Sequence, residues 1–155
     1  INAGIAWAYA ETGRDFSQAI DVNGSLWSWG LNDEGQLGLG DTADRGTPTQ
    51  VNAGSIWVSL GSGDGHACGV QDDNTLWCWG TNGNGELGQG FSSSNSLVTL
   101  QVGVATPWQS SATGTSFSCA MDDQQELWCW GNNSSGQLGL GDTSQRTSPV
   151  KLTLP

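Results

Sequence analysis

The sequence predicts an all-β chain of three propeller-type blades. Three observations carry that reading: a self-similarity of about 50 residues, short β-prone runs between glycine-rich breakers, and a composition that disfavours helices. The chain has 155 residues, including 24 Gly, 9 Trp and 4 Pro. Gly inside a helix costs about 1 kcal/mol relative to Ala, so this density works against helices. Nine indoles are a large apolar payload, which works against disorder.

The repeats are read from three markers. A lone Trp opens each one: Trp7, Trp57 and Trp108. Leu26-Trp27-Ser28-Trp29-Gly30 then returns as Leu76-Trp77-Cys78-Trp79-Gly80 and as Leu127-Trp128-Cys129-Trp130-Gly131. A glycine block follows each time, beginning at Gly35-Gln36-Leu37-Gly38, Gly85-Glu86-Leu87-Gly88 and Gly136-Gln137-Leu138-Gly139. All nine Trp therefore fall on three equivalent positions. The repeats run over about 1–50, 51–101 and 102–151, with 152–155 opening a fourth.

Repeat two shows the elements in order. Ile56 to Leu60 is a first short strand, and Gly61 to Gly65 is a breaker cluster. His66 to Val70 is a second strand, Gln71 to Thr75 a polar turn, and Leu76 to Trp79 a third strand ended by Gly80. In repeat one the same turn holds Asn23-Gly24, a pair that tolerates the positive φ of a tight hairpin. The serine-rich stretch from Gly90 to Leu100 reads as a loop inside repeat two. A β-sandwich is the rival architecture, but it has no reason to repeat every 50 residues.

Trp-Gly-x-Asn-x-x-Gly-Gln-Leu-Gly-x-Gly resembles the repeat of the regulator of chromosome condensation (RCC1) family. It stands here from Trp29-Gly30-Leu31-Asn32, Trp79-Gly80-Thr81-Asn82 and Trp130-Gly131-Asn132-Asn133. The resemblance covers essentially the whole chain and extends to bacterial and extracellular members. It implies four-stranded propeller blades, commonly seven to a ring, of which this chain supplies about three. The shared theme it implies is binding through loops rather than catalysis. The family's guanine-nucleotide exchange activity depends on loop residues outside the motif and is the least favoured reading.

The four cysteines form two pairs ten residues apart, Cys68 with Cys78 and Cys119 with Cys129. Folding each hairpin about its turn centre, Asp73 or Gln124, sets the two thiols opposite each other. Such neighbours sit roughly 4.5–5.5 Å apart at Cα, within reach of a disulfide. Repeat one carries Gln18 and Ser28 there, so both members are absent together. Two disulfides imply an oxidising compartment, outside the cell or on its surface.

Charge narrows the function. Fifteen acidic and four basic side chains give a net charge of −11. Nucleic acid and anionic membranes, which need a basic footprint, are disfavoured, and duplex DNA is expected to bind negligibly at physiological salt. No apolar run reaches the ~18–20 residues of a membrane-spanning helix. Ile1 has no Met, basic region or apolar run before it, so the expectation is a processed chain or a stretch of a longer one.

No catalytic, cofactor or metal site is expected. The glycine blocks lack the Lys-Ser/Thr of a phosphate loop. The neighbouring carboxylates Asp33-Glu34, Asp72-Asp73 and Asp122-Asp123 read as solvated turns rather than an acid–base pair. His66 is the only His, and its equivalents are taken as Asp15 and Ser116. The tryptophans read as packing between blades, with a sugar-stacking surface as the alternative. Sequons begin at Asn23, Asn132 and Asn133.

The sequence thus points to a non-catalytic extracellular module for protein binding or self-assembly. A carbohydrate-binding propeller is the alternative. Neither terminal repeat is polar, so the partner is a protein, further copies of the chain in an oligomer or filament, or further repeats of a longer chain.

Overall fold

The computed structural model describes residues 4–103 and 105–153. Twelve strands occur among them. Blade 1 is β1 (Trp7–Thr12), β2 (Phe16–Asp21), β3 (Leu26–Gly30) and β4 (Arg45–Val51). Blade 2 is β5 (Trp57–Ser62), β6 (His66–Gln71), β7 (Leu76–Gly80) and β8 (Ser96–Val102). Blade 3 is β9 (Trp108–Thr113), β10 (Phe117–Asp122), β11 (Leu127–Gly131) and β12 (Arg146–Lys151). Each blade is a separate antiparallel sheet with its strands paired in chain order. Among the described residues, no helix is long and apolar enough to cross a membrane.

The residue pattern named three strands per repeat; the fourth was implied by the family alone. That strand contains Gly46 and Pro48 in blade 1 and Pro149 in blade 3. Proline donates no ladder hydrogen bond, and a sheet edge tolerates it. In blade 2 the stretch read as a loop through Leu100 becomes β8 from Ser96 onward. Val51 and Val102, read as opening repeats two and three, instead finish β4 and β8. Leu152 still belongs to blade 3, its amide donating to the Leu127 carbonyl at 2.8 Å. Leu154 and Pro155, part of the stretch expected to open a fourth repeat, lie outside the described residues, as do Ile1, Asn2 and Ala3.

Period-two alternation gives every blade two different faces. The forward face of blade 1 carries Phe16, Ile20, Leu26, Leu37 and Val51. These close over Trp57, Leu60, Ala67 and Trp79 from the rear face of blade 2. The joint repeats between blades 2 and 3: Cys68, Val70, Leu76, Cys78, Leu87 and Val102 meet Trp108, Ala120 and Trp130. The core is therefore two layers between three sheets. Indole pairs thicken each layer, Trp57 and Trp79 at 5.8 Å between centroids, Trp108 and Trp130 at 6.3 Å.

Candidate functional site

Each joint is fixed by the same three hydrogen bonds. The amide of the opening Trp donates to a turn carbonyl of the blade before it: Trp57 to Gly24, and Trp108 to Asn74, both at 2.8 Å. The indole of the second strand Trp donates into the preceding glycine block: Trp79 Nε1 to the Gln36 carbonyl at 2.9 Å, Trp130 Nε1 to Glu86 at 2.8 Å. The last glycine of that block donates to the outer strand of the next blade: Gly40 to Leu97 and Gly90 to Thr147, both at 2.8 Å. The block must lie flat for this. A Cβ on Gly88, whose φ is +71°, would stand 2.9 Å from Trp130 Nε1.

The motif Asn explains how the loop holds its shape. Asn32 Oδ1 accepts from the Leu37 amide at 3.0 Å, and its Nδ2 donates to the carbonyls of Asp41 and Ala43. Asn133 is buried and does the same with Leu138 and Asp142. Its amide nitrogen is therefore not offered for glycosylation, although Asn133 heads a sequon. Asn23 is exposed in its turn. Asp41 and Asp142 cap the loop by accepting from the amides of Ala43 and Ser144, and they pair with Arg45 and Arg146. The arginine bonds, followed by those amides, hold both carboxyls below the usual carboxylate range.

Two of the carboxylates read as solvated turn residues are turn anchors. Asp122 is only 4% exposed. Burial opposes its charge, but bonds from the Trp128 indole and the amides of Glu126 and Gln124 outweigh burial and keep its pKa low. Asp73 accepts from the hydroxyl and amide of Thr75, which lowers its pKa in turn.

The cysteines meet as the hairpin register requires. Cys68 pairs with Cys78 and Cys119 with Cys129 across the second and third strands, and both pairs are disulfides with Cα atoms 4.1 Å apart. In blade 1 Gln18 and Ser28 pair in the same register. Ser28 Oγ donates to the Leu37 carbonyl at 2.8 Å, while Gln18 Nε2 is buried without a partner.

The pairing also corrects the placing of His66. His66 stands opposite Gly80 as Phe16 stands opposite Gly30 and Phe117 opposite Gly131. Its equivalents are thus Phe16 and Phe117. Asp15 and Ser116 are the turn residues just before them. Ser118 spends its proton on the Glu86 carbonyl at 2.8 Å, so it accepts from His66 Nε2 at 2.9 Å. The network assigns the Nε2–H tautomer and leaves Nδ1 a buried acceptor without a partner. Burial pushes the ring pKa down to about 4. A neutral ring walled into a joint is a packing element, not a general base.

A cleft of about 480 Å³ opens where the turns and loops of all three blades converge. It is lined by Asp15, Asp33, Glu34, Asp64 and Glu86, against the single positive charge of Arg14. The repeat reading did not bring these residues together, because they come from four different loops. One signal was present: the glycine block reads Gly-Gln-Leu-Gly in repeats one and three and Gly-Glu-Leu-Gly in repeat two. That change puts a carboxylate, Glu86, in the cleft wall. The four Cys and nine Trp lie elsewhere, at the joints and the outer faces.

The family described as the regulator of chromosome condensation (RCC1) repeat matches residues 23–70 and 125–155, and a second RCC1 repeat family matches 57–86 and 111–137. The chain belongs to the RCC1 repeat family. Among curated RCC1 relatives, the ultraviolet-B receptor UVR8 of Arabidopsis thaliana is 33% identical over 144 residues, covering 90% of this chain and 33% of that protein. The X-linked retinitis pigmentosa GTPase regulator of Mus musculus is 31% identical over 145 residues, covering 94% of this chain and 10% of that one. Prp20p from Saccharomyces cerevisiae shares the fold at a TM-score of 0.86 and 20% identity, over 96% of this chain and 38% of that one. The chain spans a third or less of the length of these two curated relatives.

Proposed function

We propose that this RCC1 repeat segment is a non-catalytic protein-binding module that works outside the cell, and that its acidic cleft receives a basic segment of a protein partner. The cleft carries the reading. Five carboxylates and one guanidinium, set by turns and loops of blades 1 and 2, with Glu86 buried in the wall behind the exposed ones, form a surface that attracts Lys and Arg side chains. Two relatives are named a receptor and a GTPase regulator, and Prp20p is described with its binding properties to Gsp1p and histones. Those roles are consistent with recognition of proteins. Two disulfides in so short a chain support an oxidising compartment. The sugar-stacking alternative has less to work with, because Trp57, Trp79, Trp108 and Trp130 are buried in the joints.

Calorimetric titration with a Lys/Arg-rich peptide tests this. Binding should weaken as salt rises and be lost in an Asp33→Asn/Asp64→Asn/Glu86→Gln variant. Equal binding of a neutral peptide of the same length, or no loss in the variant, would overturn it.

A further inference from the structure

The wall of the acidic cleft holds a carboxylate that the chain does not neutralise. Glu86 is 2% exposed and lines the cleft. Glutamate is rarely buried so fully unless a cation pairs with it. The chain has four Lys and Arg residues, and each one pairs elsewhere: Arg14 with Asp15, Arg45 with Asp41, Arg146 with Asp142 and Lys151 with Glu126. Among the described residues, only neutral donors reach Glu86. The Asn84 amide donates to its Oε2 at 2.7 Å, and the Thr81 hydroxyl donates to its Oε1 at 3.3 Å.

Blade 1 shows what blade 2 has given up. The equivalent residue, Gln36, is equally buried, and its Oε1 accepts from the Glu34 amide at 2.8 Å as Glu86 Oε2 accepts from Asn84. Gln36 Nε2 then donates to Asp33 Oδ1 at 3.1 Å, so the loop supplies both donor and acceptor. In blade 2 both members change. Glu86 puts an acceptor where Gln36 has its donor, and Gly83 removes the side chain that Asp33 supplies. A Cβ on Gly83 would meet nothing within 4 Å, and Gly83 is exposed in the lining of the same cleft. The result is a notch with a buried carboxylate oxygen at its base and no cation of the chain's own to fill it.

We infer that this notch seats a primary ammonium, the side chain of a Lys on the partner protein, with Glu86 Oε1 as its acceptor; the inference rests on the reading of the cleft as a site for a basic segment. The geometry selects lysine over arginine. Arginine's advantage at a buried carboxylate is its planar fork, which bonds both oxygens at once. The Asn84 amide already holds Oε2, so the fork finds only one oxygen. An ammonium is a compact charge with rotatable donors, and one carboxylate oxygen is enough for it. Thr81 Oγ1, beside Oε1, has lone pairs for a second of its N–H groups. The exposed Asp15, Asp33 and Asp64 draw a basic segment in, and Glu86 decides which side chain is held.

Calorimetric titration of the 155-residue chain with three Gly/Ser peptides of equal length and charge tests this. One carries lysines, one arginines and one trimethyl-lysines at the same positions; trimethyl-lysine keeps the charge but has no N–H to donate. The lysine peptide should bind about tenfold tighter than either of the others, as one charge-assisted hydrogen bond allows. Gly83→Asp/Glu86→Gln gives blade 2 the pair found in blade 1 and keeps the number of carboxylates in the cleft. It should bring the lysine and arginine peptides to within about twofold of each other. Circular dichroism checks its fold; Glu86→Gln alone replaces it if it does not fold, and the comparison of peptides on the wild-type chain needs neither. An arginine or trimethyl-lysine peptide that binds as tightly as the lysine peptide, or a folded variant that keeps the lysine preference, would overturn the inference and leave the basic-segment reading standing. No binding of any of the three peptides would overturn both.

Discussion

Blades 2 and 3 carry the same Leu-Trp-Cys-Trp-Gly strand, yet their disulfides sit in different surroundings. Cys68 and Cys78 are fully buried, roofed by blade 3. Cys119 lines an open groove beside Met121 and Leu127. The sequence of the strand is the same; the neighbour is not. An RCC1 repeat therefore encodes two half-joints, and each half contributes fully only when the next blade covers it. The burial of an indole, a leucine or a cystine here is a property of the pair of blades.

Truncating an indole on a covered face breaks this contrast most severely. Trp79→Ala empties a fully enclosed site and leaves the Gln36 carbonyl unpaired, and should cost about 3–5 kcal/mol. Trp29→Ala, the same change on the open rear face of this segment, should cost less than half as much. Urea unfolding of both variants checks the ratio, and equal costs would mean that coverage does not matter.

Next comes the one joint that lacks a disulfide. Gln18 and Ser28 occupy the cystine register in blade 1, and Gln18 Nε2 is a buried orphan. Gln18→Cys/Ser28→Cys should form a third disulfide and stabilise the chain by roughly 3 kcal/mol through the constrained unfolded state. Thermal unfolding with and without reductant measures it. On the open side, a thiol reductant should cleave Cys119–Cys129 before Cys68–Cys78, as mass spectrometry of alkylated peptides would show.

The third test concerns pH. The unfolded His66 ring takes a proton near pH 6.5, but the folded ring refuses it until about pH 4. Between those values the unfolded state binds more protons, so stability falls as pH drops through the window. His66→Phe, which installs the residue of blades 1 and 3, should remove roughly 3 kcal/mol of that fall. Comparing the variant with wild type isolates the contribution of the ring. The smallest effect belongs to the exposed Arg146–Asp142 pair: Arg146→Gln should barely shift the unfolding midpoint, and shift it less still at high salt.

The repeat architecture was open to reading from the sequence because periodic Trp and Gly record a physical requirement three times over. The disulfides were readable for a related reason: two cysteines equidistant from a hairpin turn must face each other. What stayed hidden is what no single repeat contains. The fourth strand escaped because Gly46, Pro48 and Pro149 break its β signature, and an edge strand tolerates them. His66 was shifted one residue because the glycine breaker before it gave no fixed register; only its pairing with Gly80 set that. The carboxylates of the cleft come from four loops, and only the exchange of Gln for Glu at position 86 hinted at it.

Amide hydrogen exchange, measured strand by strand on the 155-residue segment, addresses directly whether a blade is only as stable as its covered faces. Blade 2 is covered on both sides, so the amides of β6 and β7 should exchange slowest, with β2 and β3 of blade 1 and β10 and β11 of blade 3 faster. Uniform protection across the three blades, or slowest exchange in an outer one, would contradict the account.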